Sequence, residues 1–149
     1  MGRISTRTAL MEILSLNPFF HRTIIRPMET CPVSDVTPTQ MRTLFALAIH
    51  DRLPMGTLAA DLDISKQQLT KVIDVLVEKG YVERTDDKNN RRLVLVQLSS
   101  AGSDLVNRVL ETIADDLTPE FEVFTDAEKE SLYNAALTIK QIMERVAYI

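Results

Sequence analysis

The chain has 149 residues, 45% of them hydrophobic and 26% charged, with four glycines, a single cysteine and a net charge of −4. That is one ordinary domain's worth of chain with enough apolar surface for its own core, which excludes collagen-like, disordered and disulfide-stapled classes. Cys31 alone cannot build an intrachain disulfide framework or a multi-cysteine zinc site.

No apolar run approaches the roughly 18 residues that a membrane span needs. The opening MGRISTRTAL lacks the apolar centre of a secretory signal, so a cytoplasmic protein without a membrane partner is expected. The charge is unevenly placed. Residues 1–100 carry 13 Lys and Arg against 11 Asp and Glu, net +2, whereas residues 101–149 carry 4 against 10, net −6. A surface that meets phosphates must therefore come from the first two thirds of the chain.

In chain order, Leu10, Ile13, Leu14, Phe20, Ile24 and Met28 predict a helical stretch interrupted near Asn17-Pro18, where the proline removes a hydrogen bond and clashes with the preceding turn. Thr37-Pro38-Thr39-Gln40 is a capping box with proline at the first helical position, and opens a helix to about Ile49. MGTLAADLDI predicts a helix of about two turns with Leu58, Ala59 and Leu62 inward. A second box, Ser65-Lys66-Gln67-Gln68, opens a helix whose inner stripe is Leu69, Val72, Ile73, Leu76 and Val77, and Gly80 stops it. Two helices joined so tightly must cross steeply, as in a helix-turn-helix.

YVER and RLVLVQLS then read as strands of a hairpin whose polar tip is TDDKNN, with an apolar run at Leu93 to Val96 that packs on helices. Leu105, Val106, Val109, Leu110, Ile113 and Leu117 form one amphipathic helical stripe. Leu132, Ala136, Ile139, Met143 and Val146 form another after the box Thr125-Asp126-Ala127-Glu128, with Pro119 and an acidic stretch between the two. The terminal stripes exceed what a small helix-turn-helix core covers, so they call for a partner surface, a second copy of the chain or an intrachain helical lobe.

The fold class is thus mostly α with a small β-hairpin. A winged helix-turn-helix lobe over 36–99 is joined to a helical lobe made by 1–30 and 100–149, within one chain spanning 1–149. The Ser65 helix offers a small, polar and cationic edge with no acid between Ser65 and Lys71. Gln67 and Gln68 suit paired bonds to adenine edges, Ser65 and Thr70 suit bases or phosphates, and Lys66 and Lys71 supply charge. An exposed edge of this kind disfavours the alternative of a winged-helix protein-interaction module, which would show apolar or acidic residues there. No catalytic residue is expected: Cys31 with His21 or His50 comes without a glycine-rich loop, an acidic dyad or catalytic spacing. Those residues read as an ordinary, partly buried thiol and ordinary histidines, with no metal-ligand spacing and no bound cofactor.

The run LAADLDISKQQLTKVIDVLVEKGYVERTDDKNNRRLVLVQLSSAG, Leu58 to Gly102, closely resembles the MarR family of bacterial transcriptional regulators. The shared pattern is L-A-x-x-L-x-(I/V)-S, then T-x-x-(I/V)-D-x-L-x-x-K-G-(L/Y)-V-x-R, a D-R-R wing, and L-(S/T)-x-x-G. Asn90 stands where the family has the wing aspartate, which leaves the tip more positive. The resemblance implies a homodimer with terminal helices as the shared lobe, and two winged lobes gripping successive major grooves of a pseudo-palindromic duplex. It implies a repressor released by a small-molecule effector. The pocket would lie between the lobes, near His21, Arg26 and His50. Lys71 falls where the family commonly has arginine. Arg92 is expected in the minor groove, with Arg91, Lys88, Asn89 and Arg84 on the backbone; alternatively, one wing arginine pairs with Asp74 or Asp87 and holds the wing to the recognition helix.

Overall fold

The computed structural model describes residues 4–32, 34–86 and 93–146. The chain divides into two compact units, Met1–Ile113 and Ala114–Ile149.

In the first unit, Ser5 caps α1 (Thr6–Ser15) by accepting from the Thr8 amide at 3.1 Å. The interruption expected at Asn17-Pro18 is present: α1 stops and α2 (Asn17–Phe20) starts with proline in its first turn. A second, unexpected break follows. His21–Ile25 is a π turn whose closing bond runs from the Arg26 amide to the His21 carbonyl, and α3 (Arg26–Glu29) has Pro27 in its first turn. Pro27 has no N–H to give to the carbonyl four residues back, and the ladder slips by one residue.

α4 (Pro38–Ala48) carries the expected box: the Thr37 amide donates to Gln40 Oε1 at 3.0 Å and the Gln40 amide to Thr37 Oγ1 at 3.3 Å. α5 (Met55–Asp61) and α6 (Lys66–Glu78) follow, joined by a turn in which Asp63 takes a left-handed φ of +52°. α6 ends in a Schellman motif. Gly80 has φ +77°, its amide donates to Val77, and the Tyr81 amide donates to Leu76.

The hairpin is β2 (Val82–Asp86) with β3 (Val94–Leu98), antiparallel, with Arg84 opposite Val96. A third strand that the sequence pattern did not announce, β1 (Leu53–Pro54), pairs with the other edge of β3 through Leu53 and Val96. Two residues, one of them proline, show no period-2 signal, and proline is tolerated on an edge strand. α7 (Ser100–Phe121) starts from Ser99, whose Oγ accepts from the Gly102 amide at 3.0 Å.

The core is one cluster of fully buried side chains drawn from five elements: Met41, Leu44 and Leu47 of α4, Leu58 of α5, Leu69, Ile73 and Leu76 of α6, Val96 of β3, and Leu105 and Val109 of α7. Val77, which periodicity assigns to the inner stripe of α6, is instead on the surface.

In the second unit, α7 continues two residues past Pro119, so the proline sits inside the last turn and does not end the helix. The turn beyond is held by an edge-to-face pair of Phe121 and Phe124, with centroids 5.4 Å apart, and by a 2.9 Å ion pair of Lys129 with Glu122. α8 (Asp126–Val146) opens on the third expected box, with Glu128 Oε2 accepting from the Thr125 amide at 2.8 Å. Among the described residues, no helix is long and apolar enough to cross a membrane.

Candidate nucleic-acid interface

The surface edge of α6 is built by its buried stripe. With Leu69, Ile73 and Leu76 turned into the core, helical spacing leaves Lys66, Gln67, Gln68, Thr70 and Lys71 exposed together. Their hydrogen bonds divide the roles. Gln68 Oε1 accepts from the Ser65 amide at 3.0 Å and from the Ser65 hydroxyl at 3.1 Å, so Ser65 and Gln68 close the helix start on each other. The Thr70 hydroxyl donates to the Lys66 carbonyl at 2.8 Å and keeps only acceptor capacity and a methyl group for a ligand. In the described residues, neither Gln67 nor Lys71 has a side-chain hydrogen bond or ion pair.

Arg84 projects from β2 and its Nη2 donates to Asp74 Oδ1 at 2.6 Å. The hairpin is thereby tied to α6 at its root, by an arginine that sequence reasoning had assigned to a phosphate contact. Between α6, the start of α5 and the hairpin root opens a groove of about 900 Å³, with Pro54, Gly56, Lys66, Thr70, Asp74 and Arg84 on its walls. The wing residues Lys88, Asn89, Arg91 and Arg92, with Asp87 and Asn90, lie outside the described residues.

Sequence reasoning missed a second anchor of α6. Lys79 Nζ donates to Asp35 Oδ2 at 2.6 Å and to the Asp35 carbonyl at 2.8 Å, and Tyr81 Oη donates to Asp35 Oδ1 at 2.9 Å. This ties the end of α6 to the loop before α4. First the Lys79 bond and then the Tyr81 bond hold the Asp35 carboxyl below its ordinary pKa, and the Asp35 bond in turn pushes the Tyr81 phenol above its own. Asp35 contributes above the ordinary carboxylate pKa and its contribution fades as pH falls through the depressed value. Tyr81 contributes below about 10 and fades as pH rises through the raised value. Asp35→Ala should therefore cost about 1 kcal/mol or less, since the pair is largely exposed. In thermal melts across pH, the gap between wild type and variant is expected to stay flat from about pH 5 to 9 and to close below about 4.

The remaining sequence candidates fall elsewhere. Cys31 is buried at 7% exposure, His21 lies exposed in the π turn, and His50 is half-buried after α4. No group of three or more His, Cys, Asp or Glu side chains among the described residues could hold a metal ion. A cavity of about 220 Å³ lies between the π turn, α3 and α4, bordered by Ile25, Met28, Glu29, Arg42, Phe45 and Leu62. His21, Arg26 and His50 do not line it.

Comparison with known proteins places this geometry. The MarR family model matches residues 34–93, from the loop that holds Asp35 to the far side of the wing. The regulator SarZ of Staphylococcus saprophyticus is 30% identical over 103 residues, covering 67% of this chain and 70% of that protein. This chain belongs to the MarR family. Another relative, the uncharacterized regulator YhbI of Bacillus subtilis, is 28% identical over 74 residues, and the match covers 50% of this chain and about half (48%) of that protein. Among solved structures, a mutant MarR from E. coli complexed with operator DNA superposes with a TM-score of 0.56 at 25% identity, over 86% of this chain and 95% of that one. MarR-family proteins are winged-helix transcriptional regulators, which sets the chain apart from enzymes.

Proposed function

We propose that the chain is a homodimeric, sequence-specific, double-stranded-DNA-binding repressor of the cytoplasm, released from its operator by a small-molecule effector. The observation that carries this reading is the exposed edge of α6, where Lys66, Gln67 and Lys71 are exposed and no Asp or Glu occurs between Ser65 and Lys71. Gln67 makes the paired contact to an adenine edge, and Gln68, whose oxygen is held at the cap, donates through its amide nitrogen only. Lys66 and Lys71 meet phosphates, Ser65 and Thr70 accept at the groove edge, and Arg84 stands at the wing root. Arg92 enters the minor groove, with Arg91, Lys88 and Asn89 along the backbone. The 36–99 lobe grips DNA, and 1–30 with 100–149 form the shared lobe. Support for the dimer is the row of exposed apolar side chains on α1 and α8, and support for DNA is the operator complex of the E. coli relative.

Two winged lobes related by a twofold axis require half-sites about one helical turn apart. In a fluorescence-anisotropy titration with labelled duplex, log affinity should fall against log salt with a slope of about −0.9 per neutralised phosphate. Lys71→Ala should weaken all duplexes alike, whereas Arg92→Ala should weaken A·T-flanked sites most. Affinity that ignores salt on every duplex would refute the reading.

A further inference from the structure

Lys66, Thr70 and Asp74 recur every four residues and so line one side of α6, facing the groove. Asp74 lies about 12 Å along the axis from Lys66, at 1.5 Å per residue. It is the first carboxylate on α6, and its side chain is 55% exposed. A phosphate strand laid along the helix would pass within about a Debye length, 8 Å, of that charge and be repelled. Arg84 meets it from the opposite wall. The β2 register sets Arg84 opposite Val96, and its guanidinium spans to α6 through one nitrogen and one carboxylate oxygen.

We propose that Arg84 is a positioning residue that masks Asp74: by cancelling this carboxylate, it keeps the groove side of α6 free of net negative charge, so that α6 and the wing approach the same stretch of backbone. The proposal rests on the DNA-binding reading above. It differs from direct contact, in which the guanidinium itself holds a phosphate, and from simple bracing, in which the pair only fixes the wing angle. A half-exposed pair contributes little to folding, so single substitutions should leave the melting temperature within roughly 3 °C of wild type. Changes in binding then report electrostatics and not lost structure.

The test uses full-length protein and a labelled mixed-sequence duplex, because the phosphate contribution is independent of sequence. Arg84→Gln uncovers Asp74, and affinity should fall roughly three- to tenfold with a salt slope shallower by up to about 0.9. Asp74→Asn releases Arg84, and affinity should rise by a similar factor with a slope steeper by the same amount. The double variant restores neutrality, and its slope and affinity should return to wild type. A double variant as weak as Arg84→Gln would overturn masking in favour of direct contact. Loss of affinity in both single variants at an unchanged slope would overturn it in favour of bracing. Wild-type protein that fails to bind the duplex at low salt would instead strike down the DNA-binding reading itself.

Discussion

Gly102→Ala should lower the melting temperature by roughly 5–10 °C, followed by circular dichroism at 222 nm. Helix propensity alone predicts the opposite, since alanine is favoured over glycine inside a helix by about 1 kcal/mol. What decides the sign is a close approach. A Cβ at Gly102 would collide with the Tyr81 carbonyl oxygen and lie 3.0 Å from its carbon and 3.3 Å from Leu98 Cδ2. The carbonyl has nowhere to retreat. Its oxygen accepts from the Ser99 amide at 3.0 Å, and the Tyr81 amide is fixed to Leu76 at 2.9 Å in the α6 cap. Relief of the clash must break one of these bonds, at about 1 kcal/mol each, on top of about 1–3 kcal/mol of overpacking. After the gain of about 1 kcal/mol in helix propensity is subtracted, the net loss is about 1–3 kcal/mol. A variant that melts at or above the wild-type temperature would show that α7 can slide away from Tyr81 at no cost.

The second large effect concerns assembly. Every residue of α8 from Asp126 to Arg145 is exposed, including Leu132, Tyr133, Leu137, Ile139, Ile142 and Met143, and α1 has no buried residue either. Single exposed apolar residues are commonplace, but a continuous row of large ones marks an interaction surface. Leu132→Glu combined with Ile139→Glu places two carboxylates seven residues apart on one side of α8. Each substitution forfeits about 2 kcal/mol of burial per protomer, so the pair should weaken self-association at least a thousandfold. Sedimentation velocity at micromolar concentration should change from dimer to monomer, while the melting curve of the first unit keeps its midpoint. DNA affinity should fall with the loss of the second half-site. A variant that sediments as the wild type does would remove α8 from the interface.

The readable parts of the fold are those whose chemistry is local. Thr37 with Gln40, Ser65 with Gln68 and Thr125 with Glu128 sit three residues apart, and each box starts a helix within one residue of its expected place. Gly80 and the Ser99 to Gly102 turn are visible for the same reason. The parts that escaped depend on distance in sequence or on several weak causes acting together. Nothing local in Asp35 points to Lys79 and Tyr81, which lie 44 and 46 residues away. Asp74 could be named as a partner for a wing arginine but Arg84 not as that arginine, because their meeting depends on how the sheet packs against α6. β1 is too short to have a period, and Pro27 acts on a ladder already disturbed by Pro18. At the interface, the exposed edge of α6 follows from periodicity and the engagement of Gln68 from the capping box, whereas the bond of the Thr70 hydroxyl to the Lys66 carbonyl follows from neither.

The wide turn at His21–Ile25 has a geometric outcome for the whole N-terminal rod. One extra residue in a coil of 3.6 per turn rotates everything after it by about 100° relative to what came before. Leu10, Ile13 and Leu14, which precede both this turn and the break at Asn17-Pro18, look outward, while Ile24, Pro27 and Met28 are half-buried in the first unit. A straight rod would offer all six to the same neighbour. The offset behaves as a crankshaft does, with one throw seated in its own housing and the other turned outward.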